Sequence, residues 1–102
     1  MKELRATESL PREIEETVQH LISYLGFDPK EISRRGWNYN PRTGYFRFYK
    51  FLLDENGSRE HDTFKGDAVT VRKVRKLNPF WRNRLEFVFQ KYQDDPIPAV
   101  PR

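Results

Sequence analysis

The segment from Tyr45 to Leu53, YFRFYKFLL, constrains the fold more than any other part of the chain. Its rings and polar side chains alternate with a period of two, which predicts a strand with one buried face. The segment Asp54 to Gly57, DENG, follows, and its Asn-Gly pair favours a tight hairpin turn. We therefore predict a polar return strand over residues 58–65, at a sheet edge where its charges discourage further pairing.

A shorter strand over residues 37–40 precedes this one, with a turn over residues 41–44 between them. A four-residue turn places Tyr39 opposite Phe46 and Trp37 opposite Phe48, so that these four share an apolar face. The other face then carries phenol, amide and guanidinium groups, and a register shift of one residue would scramble the assignment. Its predicted members are Asn38, Asn40, Tyr45, Arg47 and Tyr49.

The segment from Ser9 to Gly26 has the pattern of an amphipathic helix. Its apolar residues recur at helical spacing and form one stripe, with Ser9 as the N-cap and Gly26 just past the end. The stripe consists of Ile14, Val18, Leu21, Ile22 and Leu25. Residues 27–36 form a connector to the first strand.

Two later segments are harder to assign. Residues 67–77 fit a helix capped by Asp67, which we prefer, but Val69, Val71 and Lys73 fit a strand as well. Residues 84–92, RLEFVFQKY, alternate apolar and polar side chains and so predict a strand.

These elements predict the α+β class: an N-terminal amphipathic helix packed on a small, mostly antiparallel sheet. The sheet would contain a three-stranded meander and a C-terminal strand, with a second helix around residues 67–77. Residues 1–93 fit a single α+β domain. Residues 94–102 hold three prolines and predict an extended, proline-rich C-terminal tail.

Composition limits the classes of function. The chain has no cysteine, which excludes disulfides and thiolate zinc sites. The charged N-terminus lacks the apolar core of a secretory signal, and no apolar run reaches the roughly 20 residues that span a bilayer. We expect a cytoplasmic protein, or a nuclear one in a cell with a nucleus, that is not secreted and has no membrane partner.

Charge is distributed unevenly along the chain. Residues 1–33 carry four basic and seven acidic side chains, a net charge of −3, whereas residues 34–91 carry 14 basic and six acidic ones, a net charge of +8. Between Ala68 and Leu85 there are six basic residues and no acid, with Phe80 and Trp81 among them. Interleaved basic and aromatic side chains are typical of surfaces that neutralise phosphates and stack bases.

The sequence therefore predicts a small protein that binds DNA or RNA. The predicted contact residues are Arg42, Tyr45, Arg47, Tyr49, Arg72, Lys73, Arg75, Lys76, Trp81, Arg82 and Arg84. The alternative is a non-enzymatic interaction or inhibitory module that binds an acidic protein partner or self-associates, for example as a homodimer. We expect no catalytic residue, cofactor or metal site, because the two histidines, His20 and His61, are far apart in sequence and no Gly-rich loop precedes a helix.

Overall fold

The computed structural model of the protein describes residues 4–5 and 10–93. Its elements, in chain order, are β1 (Leu4–Arg5), α1 (Arg12–Tyr24), a 3₁₀ turn (Pro29–Glu31), β2 (Asn38–Asn40), β3 (Tyr45–Phe51), β4 (Thr70–Lys76) and α2 (Pro79–Gln93). The four strands form one antiparallel sheet in the order β1-β2-β3-β4. The α+β class predicted from the sequence is confirmed.

One hydrophobic core joins both helices to one face of the sheet. From the sheet, Tyr39, Phe46 and Phe48 are completely buried, and from the helices Leu21 and Leu85 are as well. Antiparallel strands commonly bury one face and leave the other solvated. On the second face of this sheet, Tyr45, Arg72 and Lys76 are exposed, whereas Arg47 and Tyr49 are half-buried.

Helix α1 begins at Arg12 and ends at Tyr24, inside the range that the apolar stripe predicts. Pro11 occupies the N-cap position and makes no side-chain capping bond, while the predicted N-cap, Ser9, lies outside the described residues. Gly26 follows the helix with a φ of +95°, a left-handed conformation that favours glycine.

The helix preferred for residues 67–77 is wrong, because this segment forms strand β4, Thr70–Lys76. All seven of its residues pair with β3, from Tyr45 opposite Lys76 to Phe51 opposite Thr70. The β-branched residues Val71 and Val74 suit a strand, and tertiary pairing outweighs the weak local preference for a helix.

The strand predicted over residues 84–92 is also wrong, because this segment belongs to helix α2. Leu85, Val88 and Phe89 are buried at helical spacing, whereas Phe87 is 58% exposed. Asn78 caps the helix by accepting a hydrogen bond from the Trp81 backbone N–H over 2.9 Å. The alternation of Leu85, Phe87 and Phe89 had concealed this helical spacing.

The return strand predicted over residues 58–65 is wrong too, since that stretch is an irregular loop with isolated pairs at Leu53–Arg59 and His61–Ala68. The third strand of the meander is β4 instead. Strands β2 and β3 lie within their predicted ranges, with Tyr39 opposite Phe46 as expected. The proline-rich tail, residues 94–102, lies outside the described residues. Neither of the two α-helices that the structure describes is long and apolar enough to cross a membrane.

Candidate nucleic-acid interface

The face of the sheet opposite the helices carries most of the polar and aromatic side chains of interest. Residues directly opposite each other on antiparallel strands project to the same face, so the register defines its members. We call this surface the open face. It consists of Asn38, Asn40, Tyr45, Arg47, Tyr49, Phe51, Thr70, Arg72, Val74 and Lys76.

Three cations of the open face have no carboxylate partner among the described residues: Arg47, Arg72 and Lys76. Arg47 lies in the central strand β3 and donates from Nε to the Asn38 side-chain oxygen over 3.0 Å. Lys76 places its ammonium nitrogen 5.8 Å from the centre of the Tyr45 ring. The cations thus remain available to an anionic ligand.

The rings of the open face differ in how much of them a ligand can reach. Tyr45 is 47% exposed, while Tyr49 and Phe51 are half-buried. Gly36 packs closely on Tyr49, because a Cβ atom at Gly36 would lie 2.9 Å from the Tyr49 ring. Tyr45 is therefore the most accessible ring for stacking.

Arg59 extends this surface, and the sequence prediction missed it. Its guanidinium lies 3.8 Å from the centre of the Phe51 ring, and it also donates to the Lys30 carbonyl over 3.4 Å. The Asn-Gly turn alone, read as a two-residue loop, would pair Leu53 with residue 60. The Asp54 carboxylate instead accepts the N–H groups of residues 56 and 58, and this wider turn pairs Leu53 with Arg59.

The predicted contact residues do not all lie together. Lys73 and Arg75 project from the helix side of β4, opposite Phe48 and Phe46, and the Arg75 guanidinium lies 5.4 Å from the Phe27 ring centre. Arg42 is exposed in the turn between β2 and β3. The five that share the open face are Tyr45, Arg47, Tyr49, Arg72 and Lys76.

Arg82 contacts the turn between β2 and β3 and is not part of the open face. The Arg82 guanidinium donates to the Pro41 carbonyl over 3.3 Å. It also lies against Gly44, because a Cβ atom added at Gly44 would be 2.9 Å from the guanidinium carbon. The buried Tyr39 hydroxyl has no hydrogen-bond partner among the described residues. Burial raises the pKa of Tyr39, and the neighbouring Arg82 guanidinium acts in the opposite direction.

The remaining two predicted residues lie on α2. Trp81 is half-buried in a ring cluster with Tyr24 and Phe80, at centroid distances of 5.6 and 5.4 Å. Arg84 is exposed near α1, where its charge contributes to lowering the pKa of Glu13. Neither residue belongs to the open face.

The acidic side chains of α1 form ion pairs within the protein. Glu13 accepts hydrogen bonds from Lys91 over 2.9 Å and from the Tyr92 hydroxyl over 2.8 Å. These bonds hold the pKa of Glu13 below its ordinary value and raise the pKa of Tyr92. Because Glu15 also pairs with Arg34 at 3.1 Å, the acidic surface has less charge to offer a basic partner.

No group of three or more His, Asp or Glu side chains that could hold a metal ion occurs in the described part of the chain. His20 and His61 are both exposed. Asp62 accepts the backbone N–H groups of Phe64 and Lys65, which lower its pKa. The Asp62 carboxylate thus stabilises the backbone of this loop.

Comparisons with protein-family models, with curated proteins and with solved structures found no match to this chain.

Proposed function

We propose that this protein binds nucleic acid through the open face of its sheet. The observation that carries the proposal is a surface on which unpaired cations alternate with aromatic rings. Arg47, Arg72 and Lys76 supply positive charge, Tyr45 supplies an accessible ring, and no residue of the open face is acidic. Cationic grooves with stacking rings are the common solution for binding the phosphates and bases of a strand.

A single strand suits this surface better than a duplex. Tyr45 projects from a sheet, and a base can stack on its ring only when the base is not already stacked within a helix. The two α-helices that the structure describes pack on the other side of the sheet, so the open face presents no α-helix to a major groove. The four-stranded sheet is also wider than the two-stranded ribbon that a major groove admits. Arg59 on Phe51 adds a guanidinium plane, which can also stack on an unpaired base.

The proposal is tested by fluorescence anisotropy with labelled single-stranded and duplex DNA and RNA at 50 and 200 mM salt. With three to four phosphate contacts, single-strand affinity falls roughly 20- to 50-fold between those salt concentrations. We expect at least one single strand to bind more tightly than its duplex. Binding that is absent at low salt, or that does not weaken at high salt, contradicts the proposal.

A second candidate function is protein interaction, and exposed rings away from the open face favour it. Tyr24 and Phe80 are 60% and 65% exposed in the cluster around Trp81, and Phe64 is 96% exposed at a loop tip. Exposed apolar patches often mark protein contacts. Self-association through this cluster predicts a dimer that Phe80→Ser dissociates, as measured by sedimentation equilibrium. A monomeric wild-type protein argues against this homodimer.

The alternative of an acidic protein partner uses the same cations as the main proposal, so competition separates the two. Polyglutamate at matched charge concentration has carboxylates but no bases to stack. If nucleic acid is the ligand, polyglutamate displaces a bound oligonucleotide poorly. Tyr45→Ala then weakens binding of the oligonucleotide but not binding of polyglutamate. Equal loss of both ligands on removing the ring favours the protein partner.

A further inference from the structure

A shallow depression on the open face is lined, as far as the described residues go, by hydrogen-bond donors in excess and by no carboxylate. It lies over the junction of β2, β3 and β4, beside the turn that joins β2 to β3. Its lining residues are Asn38, Asn40, Thr43, Tyr45, Arg47, Arg72 and Val74. The composition of this lining indicates which chemical group fits there.

Each of the two asparagine oxygens in the depression accepts one hydrogen bond from the protein. The Asn38 oxygen accepts from Arg47 Nε over 3.0 Å, and since that nitrogen can only donate, the atom facing it is the amide oxygen. The Asn40 oxygen accepts the backbone N–H of Arg42 over 2.9 Å. Neither amide nitrogen donates to any described residue. Asn40 is half-buried and can offer its amide N–H groups to a ligand, whereas Asn38 is only 9% exposed and its amide oxygen fixes Arg47.

Arg47 is positioned by the same hydrogen bond. With Nε fixed on Asn38, its two terminal nitrogens remain without a partner in the described structure. Arg72 projects to the same face from β4, diagonal to Arg47, and is exposed. Two guanidinium groups and the Asn40 amide nitrogen therefore belong to the lining of one concavity, which suits an anionic oxygen ligand.

We propose that the depression is a phosphate-binding subsite. Base edges present both donors and acceptors, whereas the charged oxygens of a phosphodiester only accept, which matches a lining rich in guanidinium and amide donors. Guanidinium groups bind phosphate by paired, charge-assisted hydrogen bonds. This inference rests on the proposed function for its biological ligand, a backbone or terminal phosphate of a strand, but the subsite itself is defined by donors alone.

The test is an NMR titration of the ¹⁵N-labelled protein with inorganic phosphate at constant ionic strength, chloride replacing phosphate in the control. We expect saturable shifts in the side-chain signals of Asn38, Asn40 and Arg47, with none for Arg84 on α2. Arg47→Lys keeps the charge but loses the bond to Asn38, and it weakens phosphate binding about tenfold. Arg72→Lys, at an exposed position, provides a second variant that does not endanger folding, and Arg84→Lys is the matched control.

The same samples are then titrated with a short single-stranded oligonucleotide, which separates the two proposals. Saturable phosphate binding that both open-face variants weaken supports the subsite, whether or not the oligonucleotide binds. Shifts that are linear in phosphate, or equal at Arg84, overturn the subsite. If the oligonucleotide still binds the open face in that case, the subsite fails while the proposed function stands.

Discussion

The guanidinium carbon of Arg59 lies 3.8 Å from the centre of the Phe51 ring. Phe51 is the last residue of β3, and Arg59 reaches it from the far side of the hairpin turn. The pair therefore continues the open face beyond the end of its regular strands. It also fixes a long, flexible cation in place before a ligand arrives, which reduces the entropy lost on binding.

Replacing Arg59 with alanine is expected to weaken binding of a single-stranded oligonucleotide about fivefold to thirtyfold. The variant loses one phosphate contact and one cation-π platform, each contributing about 0.5–1 kcal/mol at an exposed site. Lys65→Ala removes one positive charge from the same loop without touching Phe51 and is the matched control. Anisotropy titrations in which the two variants lose equal affinity would show that only net charge matters.

Tyr45→Ala is expected to weaken single-strand binding by roughly fivefold to 100-fold, because stacking of one base on a ring contributes about 1–3 kcal/mol. Tyr45→Phe keeps the ring and should bind within about twofold of the wild type. Phe87→Ala on α2 is the control, since that ring is 58% exposed and lies outside the open face. A phenylalanine variant as weak as the alanine variant would assign the effect to the hydroxyl.

Gly44→Ala should destabilise the protein more than Gly57→Ala, although both glycines have a φ of +82°. The left-handed backbone costs an alanine about 1–2 kcal/mol at either position. At Gly44 the new methyl group also displaces the Arg82 guanidinium and its bond to Pro41, adding about 1 kcal/mol. At Gly57 nothing lies within 4 Å. Urea denaturation that gives the two variants equal stability would contradict the contact between Arg82 and Gly44.

The bonds from Glu13 to Lys91 and Tyr92 predict a pH-dependent contribution to stability. The pKa of Glu13 is lowered by folding, so its carboxylate stabilises the protein fully above its ordinary pKa of 4.5. That stabilisation disappears as the pH falls from 4.5 through the lowered pKa. Glu13→Gln should therefore reduce the melting temperature at pH 7 and have a smaller effect in that acidic range.

Glu16→Gln is the control for this experiment, because within the described part of the chain Glu16 pairs with the exposed Arg12 on the same helix. Surface pairs of that kind contribute little. Melting curves in which the Glu13 and Glu16 variants respond identically to pH would refute the role of Glu13 in joining α1 to α2.

The sequence was most informative where one periodicity was unambiguous. The stripe from Ile14 to Leu25 predicted α1, and the spacing of the turn over residues 41–44 predicted Tyr39 opposite Phe46. That register also predicted that Asn38, Tyr45 and Arg47 share one face of the sheet, as they do. These predictions succeeded because local pattern and tertiary contact favour the same structure.

The sequence was misleading where two periods fitted equally well. In the segment that forms β4, Ala68, Val71 and Val74 have the spacing of a helix, whereas Val69, Val71 and Lys73 have the spacing of a strand. Only pairing with β3 decides between them. That pairing places Arg72 on the open face and Lys73 on the helix side of the sheet. Arg59 was missed because its position depends on a turn that the Asp54 side chain widens.

The most direct test of the account compares two pairs of cations on the same strand. Arg72 and Lys76 lie on the open face of β4, whereas Lys73 and Arg75 lie on its helix side. Each pair consists of one arginine and one lysine, so replacing either pair with alanine removes two positive charges. The measurement is the slope of log affinity against log salt for a single-stranded oligonucleotide. Alanine at the open-face pair is expected to lower the magnitude of this slope by about 1.4, whereas alanine at the helix-side pair should hardly change it. Equal slopes for the two double variants would contradict binding at the open face. A larger reduction in slope for the variant that lacks Lys73 and Arg75 would contradict it as well.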